Sequence, residues 1–281
     1  MRLEITTNKN CSVNCYPYCP QLKFRDAYGN NPSLLSFDHF KTVIDRLPTE
    51  VAIDFSGFSE PFLNPKGLEM LEYISSKGFR VTLYSTLVGL TPDKIDRLAK
   101  IKFDHFCLHL PEPNQIAQIK ITENYKNTLV AAITKMQINE ISIMNDAFVS
   151  NERAANCDNA KPRHNRGPFH CKKLVSPEFV MLPNCDVVLC CMDWQMQHKL
   201  GNLLRQSFEE IAQSEAYKTI ARNRWSFDGN ILCRSCKWAI PTALHALTNA
   251  KERLLQVLYP EWTQLSTIGS GHATTRTVPH S

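Results

Sequence analysis

The chain has 281 residues, 43% hydrophobic and 21% charged, enough to bury a core without disulfide staples, which excludes disordered, collagen-like and mini-protein classes. Lys and Arg outnumber Asp and Glu by 32 to 27, a formal charge of +5, and no apolar run approaches the ~18 residues of a membrane helix. Met1 to Thr7 has the character of a strand rather than a signal peptide, so a soluble, cytoplasmic protein without a membrane partner is expected.

In chain order, the first half alternates apolar, β-rich runs with amphipathic ones. Strands are predicted over Leu3 to Thr7, Val51 to Phe55, Phe79 to Tyr84, Phe103 to Leu110 and Ile141 to Asn145. Helices are predicted over Phe37 to Leu47, Gly67 to Ser76, Pro92 to Ala99 and Asn124 to Met136, the third opened by Thr91 with a proline at its first position. Such alternation with short links implies right-handed βαβ units on a parallel sheet. The fold class expected is α/β, a partial (β/α) barrel of about five to six parallel strands, because a closed eight-stranded barrel needs ~250 residues for itself.

The pattern changes after Val149. Ser150 to Pro168 is polar and basic, Glu178 to Leu182 and Asp186 to Cys190 form a predicted hairpin around Pro183-Asn184-Cys185, and Ser207 to Ala221 is a predicted helix. A second, small α+β domain is expected, dividing the chain into residues 1–155, 156–240 and 241–281. The last part begins with Pro241 to Leu258, an amphipathic helix expected to pack on the core through Leu244, Leu247, Leu254, Leu255 and Leu258, and continues as a loose Thr/Ser-rich tail.

Eleven cysteines, an odd number, point to metal or thiol chemistry rather than to disulfides. Cys11, Cys15 and Cys19 follow the first strand in one tight loop with no fourth cysteine or histidine nearby. A structural zinc site takes four closed ligands, whereas a 4Fe-4S cubane on three thiolates keeps one iron open to a substrate. The loop also follows the C-terminal end of a parallel strand, where barrel sites are built. Cys171, Cys190, Cys233 and Cys236 supply a second set, which suits zinc or iron-sulfur on chemistry alone. Cys191 competes with Cys190 for its place, and Cys107, Cys157 and Cys185 are left as buried or unreactive thiols, Cys185 being the one a hairpin turn would expose.

The three-cysteine loop resembles that of the radical S-adenosylmethionine (SAM) superfamily, with three and three intervening residues where the family has three and two. The extra residue is expected to bulge the loop near Pro17, and the resemblance implies Tyr18 against the adenine of SAM. Gly57-Phe58-Ser59-Glu60-Pro61, at the end of the second strand, resembles the family's Gly-Gly-Glu-Pro motif and implies that Gly57, Ser59, Glu60 and Pro61 hold the methionine end of SAM through exposed backbone groups. Ser85 and His109 fall where family members place cofactor-binding polar residues, and Arg153 is implied beside the SAM carboxylate or the substrate as the candidate catalytic residue. For His109 and Arg153 the plainer alternatives are a hydrogen-bonded strand-end histidine and a solvated arginine. Cys171, Cys190, Cys233 and Cys236 resemble the ligands of the twitch module, a shortened SPASM domain carrying an auxiliary 4Fe-4S cluster, with Cys185 where the module usually has glycine.

These resemblances cover about residues 1–240 and imply two 4Fe-4S clusters and SAM as cofactors. They imply reductive cleavage of SAM to a 5′-deoxyadenosyl radical, abstraction of a substrate hydrogen, and oxidation of the substrate radical through the auxiliary cluster. The layout resembles the radical SAM dehydrogenases of aminocyclitols, which points to a small polar substrate such as a sugar or aminocyclitol and to a flavodoxin- or ferredoxin-type electron donor. Seven thiolates on two clusters would bring the charge to about +2, so nucleic acid is not an expected partner. Two alternatives stay open here: a peptide-modifying radical SAM maturase, and a non-catalytic zinc or iron-sulfur binding protein. A redox-neutral outcome such as epimerisation would need a hydrogen donor, for which Cys185 is the candidate.

Overall fold

Strand β1 (Arg2–Ile5) lies inside an eight-stranded sheet, flanked in parallel by β2 (Ala52–Phe55) and by β7 (Glu178–Met181). The sheet continues through β3 (Val81–Ser85), β4 (His105–Pro111) and β5 (Glu140–Met144) on one side, and through β8 (Asp186–Val188) and β9 (Lys199–Asn202) on the other. Its order is β5-β4-β3-β2-β1-β7-β8-β9, with β8 and β9 antiparallel. Six strands are therefore parallel, the sixth coming from the predicted hairpin, and β5 and β9 are the two open edges. The structure is a computed structural model and describes residues 1–15, 19–112, 117–144, 152–158, 160–161 and 163–258. The expectations for Pro17, Tyr18, Asn145, the side chains of Leu255 and Leu258, and the tail after Leu258 lie outside what is described.

The strands have two unlike faces. Leu3, Ile5, Ile53, Phe55, Leu83 and Leu108 have no solvent exposure and point to the helical layer of α2 (Phe37–Ile44), α3 (Gly67–Ser76), α4 (Pro92–Leu98) and α5 (Glu123–Lys135). Each such side chain contributes roughly 1.5–3 kcal/mol by leaving water. Residues on the other face alternate with them and are half-buried and polar: Glu4, Asp54, Tyr84, His105, His109 and Glu178. Parallel strands covered on both faces are apolar throughout, so this alternation marks a concave face kept open to polar contents. The helices start where the sequence caps them: Ser36 accepts from His39 N at 3.1 Å and Thr122 from Tyr125 N at 3.2 Å.

Helix α1 (Gln21–Tyr28), after the cysteine loop, and strand β9 had no counterpart in the sequence reading. The single helix predicted over Ser207 to Ala221 is two, α7 (Phe208–Ala212) and α8 (Glu215–Asn223). Ser207 closes a capping box with Glu210, and Ser214 restarts the chain by capping Tyr217 N at 3.2 Å. A short α6 (Lys172–Val175) follows Cys171, and a two-stranded ladder joins β6 (Phe169–His170) to β10 (Ile240–Pro241).

The C-terminal helix α9 (Thr242–Leu258) corrects an expectation. Instead of packing its leucines on the core, it leaves Leu244 53%, Leu247 68% and Leu254 57% exposed. Its contacts are made at its start, through the β6–β10 ladder and a His170–His245 ring stack at 3.7 Å. Among the described residues no helix is long and apolar enough to cross a membrane.

Leu3→Ala should lower the unfolding free energy by about 2–5 kcal/mol, as expected for a cavity in a closed core. Leu247→Ala should change it by less than about 0.5 kcal/mol. Urea midpoints of the two variants measured in parallel test this division between core and exposed face.

Candidate functional site

The loop after β1 carries the first thiol set to the C-terminal end of the parallel strands. Asn14 takes a left-handed backbone (φ 43°), and Cys19 N donates to Cys15 O at 3.0 Å, so the chain doubles back on itself. Cys15 is buried in a small apolar cluster with Val13, Ala117, Ile119, Tyr125 and Met144, while Cys11 and Cys19 are half-buried at its rim. Burial raises the Cys11 thiol, and the N–H groups of Glu60, Val13 and Asn14 pull it back down. Burial also raises Cys19, as do the neighbouring Cys15 and Cys11, while Arg153 lowers it. The three thiols thus share one electrostatic environment. A fourth sulfur, Cys157, buried to 3% exposure, also acts on Cys19.

Against this loop stands the turn after β2. Gly57 has φ +67°, and a Cβ there would lie 2.3 Å from Thr6 Oγ1 and 2.6 Å from Thr6 Cα, so no other residue fits without displacing β1. Phe58 N donates to Thr6 Oγ1 at 3.0 Å, and Glu60 N donates to Cys11 Sγ at 3.4 Å. The Glu60 carboxylate is buried and accepts from Phe62 N (3.4 Å), Ser85 Oγ (2.6 Å), Thr86 N (2.7 Å) and Thr86 Oγ1 (2.7 Å). Burial raises its pKa and these donors lower it. Ser85 is therefore spent on fixing Glu60, donating to Oε1 while accepting from Leu87 N at 2.8 Å. Pro61 O accepts from Thr7 Oγ1 at 2.9 Å. Ser59 differs from these. Its hydroxyl oxygen is buried and has no partner among the described residues, which is what a serine beside an additional bound group would show.

The concave face runs from this mouth across the sheet. Glu4 accepts from Ser56 Oγ (2.8 Å) and Gly57 N (3.2 Å), and Arg2 pairs with Asp54. Burial pushes the Asp54 carboxyl up to about 6 against the opposing pull of Arg2. Tyr84 is raised to about 12 by burial and the charge of Asp54, and its ring lies 6.1 Å from that of His109. His109 sits on β4 opposite Ser142 of β5. Arg153 itself takes a left-handed backbone (φ 46°), and its guanidinium lies 5.9 Å from the centre of the Trp194 ring.

The second thiol set closes a separate cavity, lined by Cys171, Cys190, Cys233 and Cys236 with Met192 and Trp238. All four thiols are buried to 9% exposure or less. Burial raises all four, and neighbouring cysteines raise Cys190, Cys233 and Cys236 further, yet Cys171 receives N–H groups from Lys173 and Leu174, Cys190 from Met192, and Cys236 from Trp238 and Ala239. The same turn, in which a thiol faces amides two or three residues on, occurs at Cys11. Amides aimed at sulfur favour the thiolate, the form a metal or cluster requires, so both donor sets fit iron-sulfur ligation. Among the described residues no three His, Cys, Asp or Glu side chains converge on a point for a single metal ion.

Cys190 lines the cavity, whereas Cys191 stands outside its lining and packs against the cluster of Phe58, Val180 and Trp194. Cys185 is a buried thiol, as expected, and is not exposed by the turn: it takes a left-handed backbone (φ 63°) and packs in the main apolar core.

The sequence reading missed Glu4, Asp54, Lys173 and Cys191 as members of the concave face. The available signal was the alternation Arg2-Leu3-Glu4-Ile5 in a strand expected to be apolar on both sides. It also missed Arg234, whose buried guanidinium donates to Asn165 O (3.1 Å), Asn223 O (2.9 Å) and Ser226 O (2.8 Å), pinning the loops around the second thiol set.

Comparison with known proteins agrees with this geometry. Residues 171–237 match the SPASM family, an iron-sulfur cluster-binding domain. The fold is similar to that of BtrN in complex with AdoMet and 2-DOIA, at TM-score 0.60 and 17% identity over 80% of this chain and 87% of that one. It is similar to native anSMEcpe with bound AdoMet, at TM-score 0.52 and 13% identity over 84% of this chain and 86% of that one. It is also similar to Streptococcus suis SuiB bound to precursor peptide SuiA, at TM-score 0.50 and 13% identity over 84% of this chain and 69% of that one. No curated protein sequence matches. The chain thus shares its fold with these solved structures, and its residues 171–237 match an iron-sulfur cluster-binding domain.

The different placement of the paired cysteines can be read in metal content. After anaerobic reconstitution Cys190→Ser should hold about four fewer irons per chain than wild type, while Cys191→Ser should hold the full complement. A second prediction concerns Asp54, whose folded pKa lies above its ordinary 3.8. The protonated form favours folding, so this contribution is complete below about pH 4 and is lost as pH rises through about 6. Between those values wild type should lose about 2–3 kcal/mol relative to Asp54→Asn, read from urea midpoints at each pH.

Proposed function

We propose that this chain is a radical SAM oxidoreductase that oxidises a small polar substrate, of the sugar or aminocyclitol kind, with a substrate-side cluster on Cys11, Cys15 and Cys19 and an auxiliary 4Fe-4S cluster on Cys171, Cys190, Cys233 and Cys236. In this reading residues 1–155 form the radical SAM unit, 156–240 the auxiliary unit and 241–281 an appendage. The observation that supports it most directly is the nearness of both thiol sets to the polar face: Glu60 N, on the turn beside that face, donates to Cys11 Sγ, and Lys173, which lines the four-thiol cavity, pairs with Glu178 of the same face.

When bound, the cofactors supply a 5′-deoxyadenosyl radical and an acceptor for one electron. The chain's own residues do the rest. Gly57 lets the turn after β2 close against Thr6, Ser59 offers a hydroxyl with no partner among the described residues, and Glu60 holds the loop in register with Cys11. Glu4, Tyr84 and His109 present a carboxylate, a phenol and an imidazole to substrate hydroxyl or amino groups. Glu4, the carboxylate on β1 nearest the mouth, takes the hydroxyl proton of the carbon being oxidised. Phe58 and Trp194, stacked at 4.4 Å, wall off water on the β7 side.

A peptide substrate is the second reading, favoured by the likeness to SuiB bound to its precursor peptide. The ionisable lining of the concave face and the likeness to BtrN bound to 2-DOIA favour the small polar substrate.

Reconstituted protein given SAM and dithionite should release 5′-deoxyadenosine and contain about eight irons per chain. A panel of deuterated cyclitols, sugars and peptides then identifies the substrate by deuterium transfer into 5′-deoxyadenosine. Glu4→Gln should lower substrate oxidation by about 10²-fold or more while leaving substrate-free SAM cleavage within twofold. Colourless protein with stoichiometric zinc and no SAM cleavage would overturn the reading. Deuterium transfer from a peptide alone would replace the substrate class.

A further inference from the structure

Trp238 is the point where the four-thiol cavity meets solvent. It lines the cavity beside Cys236, yet is 45% exposed. Around it the chain displays large apolar side chains on its surface: Trp225 at 58%, Phe227 at 71% and Ile240 at 36% exposure. One segment, residues 165–170, ties them together. Gly167 N donates to Phe227 O at 2.6 Å, Phe169 N to Arg224 O at 3.0 Å, and Asn165 Nδ2 to Cys236 O at 3.1 Å, while His170 pairs with Ile240. An exposed cluster of this kind marks an interaction site.

The rim is cationic. Residues 159–177 contain Lys161, Arg163, Arg166, Lys172 and Lys173 and no Asp or Glu. All but Lys173 are exposed. Arg224 lies over Trp225 at 4.7 Å and Lys237 over Trp238 at 5.3 Å. Asp228, beside His164 (2.6 Å) and Arg166 (3.9 Å), is an acid at this rim.

Resting on the two-cluster reading above, we propose that this face is the docking surface for a small acidic one-electron carrier protein, which takes an electron from the auxiliary cluster at the Trp238 edge. In that step one electron leaves the reduced cluster and reduces the oxidised carrier; no bond is made or broken. An apolar centre within a charged rim suits a brief, oriented encounter of the size redox pairs use. Charge decides the occupant. A second copy docked through the same face would set basic rim against basic rim, and residues 259–281 offer one acid, Glu261, against Arg276.

The test uses the reconstituted holo-protein and an oxidised flavodoxin or plant-type ferredoxin as probe. Affinity is measured by calorimetry, and oxidation of the pre-reduced protein by stopped flow. Binding should weaken at least about tenfold between about 20 and 300 mM salt, and by a similar factor in the Lys161→Glu/Arg166→Glu variant. Iron content, reduced-cluster EPR and oxidation by benzyl viologen should stay unchanged in that variant. Two cluster signals with carrier binding insensitive to salt and to the charge reversal would overturn the docking surface while leaving the functional reading intact. Carrier-free dimerisation abolished by Trp225→Ser or Phe227→Ser would assign the face to a second copy and overturn it too. Absence of the auxiliary signal would remove the functional reading and the docking proposal together.

Discussion

A buried carboxylate holds the mouth of the sheet. Glu60 sits between the first thiol loop and the end of β3, taking four hydrogen bonds from Phe62, Ser85 and Thr86 while its own N–H meets Cys11 Sγ. A buried charge without such donors would be strongly destabilising, so the contacts define one arrangement of three segments distant in sequence. The neighbouring turn depends on it. Gly57 lies against Thr6 with no room for a Cβ, and the buried Ser59 hydroxyl has no partner among the described residues.

From that mouth the two faces of the sheet divide the work. The outer face buries Leu3, Ile53 and Leu83 under helices and carries stability. The concave face spends potential hydrophobic burial on Glu4, Asp54, Tyr84 and His109, a cost that makes sense only for a chamber that binds something polar. Parallel pairing of β7 with β1 brings the hairpin beside β1, and Lys173, in the lining of the four-thiol cavity, pairs with Glu178 on the concave face. Cys190 and Cys191, consecutive in sequence, part there: Cys190 lines the cavity and Cys191 packs against the Phe58 and Trp194 cluster.

Much of this was legible from sequence because it depended on order and period. Strand-helix alternation set the parallel sheet, and the succession of cysteine loop, Gly57-to-Pro61 turn and four later cysteines named the candidate sites. What escaped depended on direction. The role of Ser85 follows from facing Glu60, which no motif states. Spacing favoured Cys190 over Cys191, and the structure puts Cys190 in the lining of the four-thiol cavity. For Cys185 the sequence left exposure open beside burial, because a turn position tells backbone conformation and says nothing of where the side chain points. The leucines of α9 marked an apolar stripe correctly, but periodicity shows which face is apolar and cannot show whether anything covers it. The break at Ser214 was available in the sequence, as a second capping serine inside an apparent single helix.

The central claim is that two distinct clusters border one chamber and that one of them has an open iron for SAM. EPR of the dithionite-reduced, reconstituted protein with and without SAM tests it most directly. The account predicts two reduced-cluster signals, of which one shifts on adding SAM and is missing from the Cys11→Ala/Cys15→Ala/Cys19→Ala variant, while the other persists. A single signal, unmoved by SAM and unaffected by that variant, would contradict it.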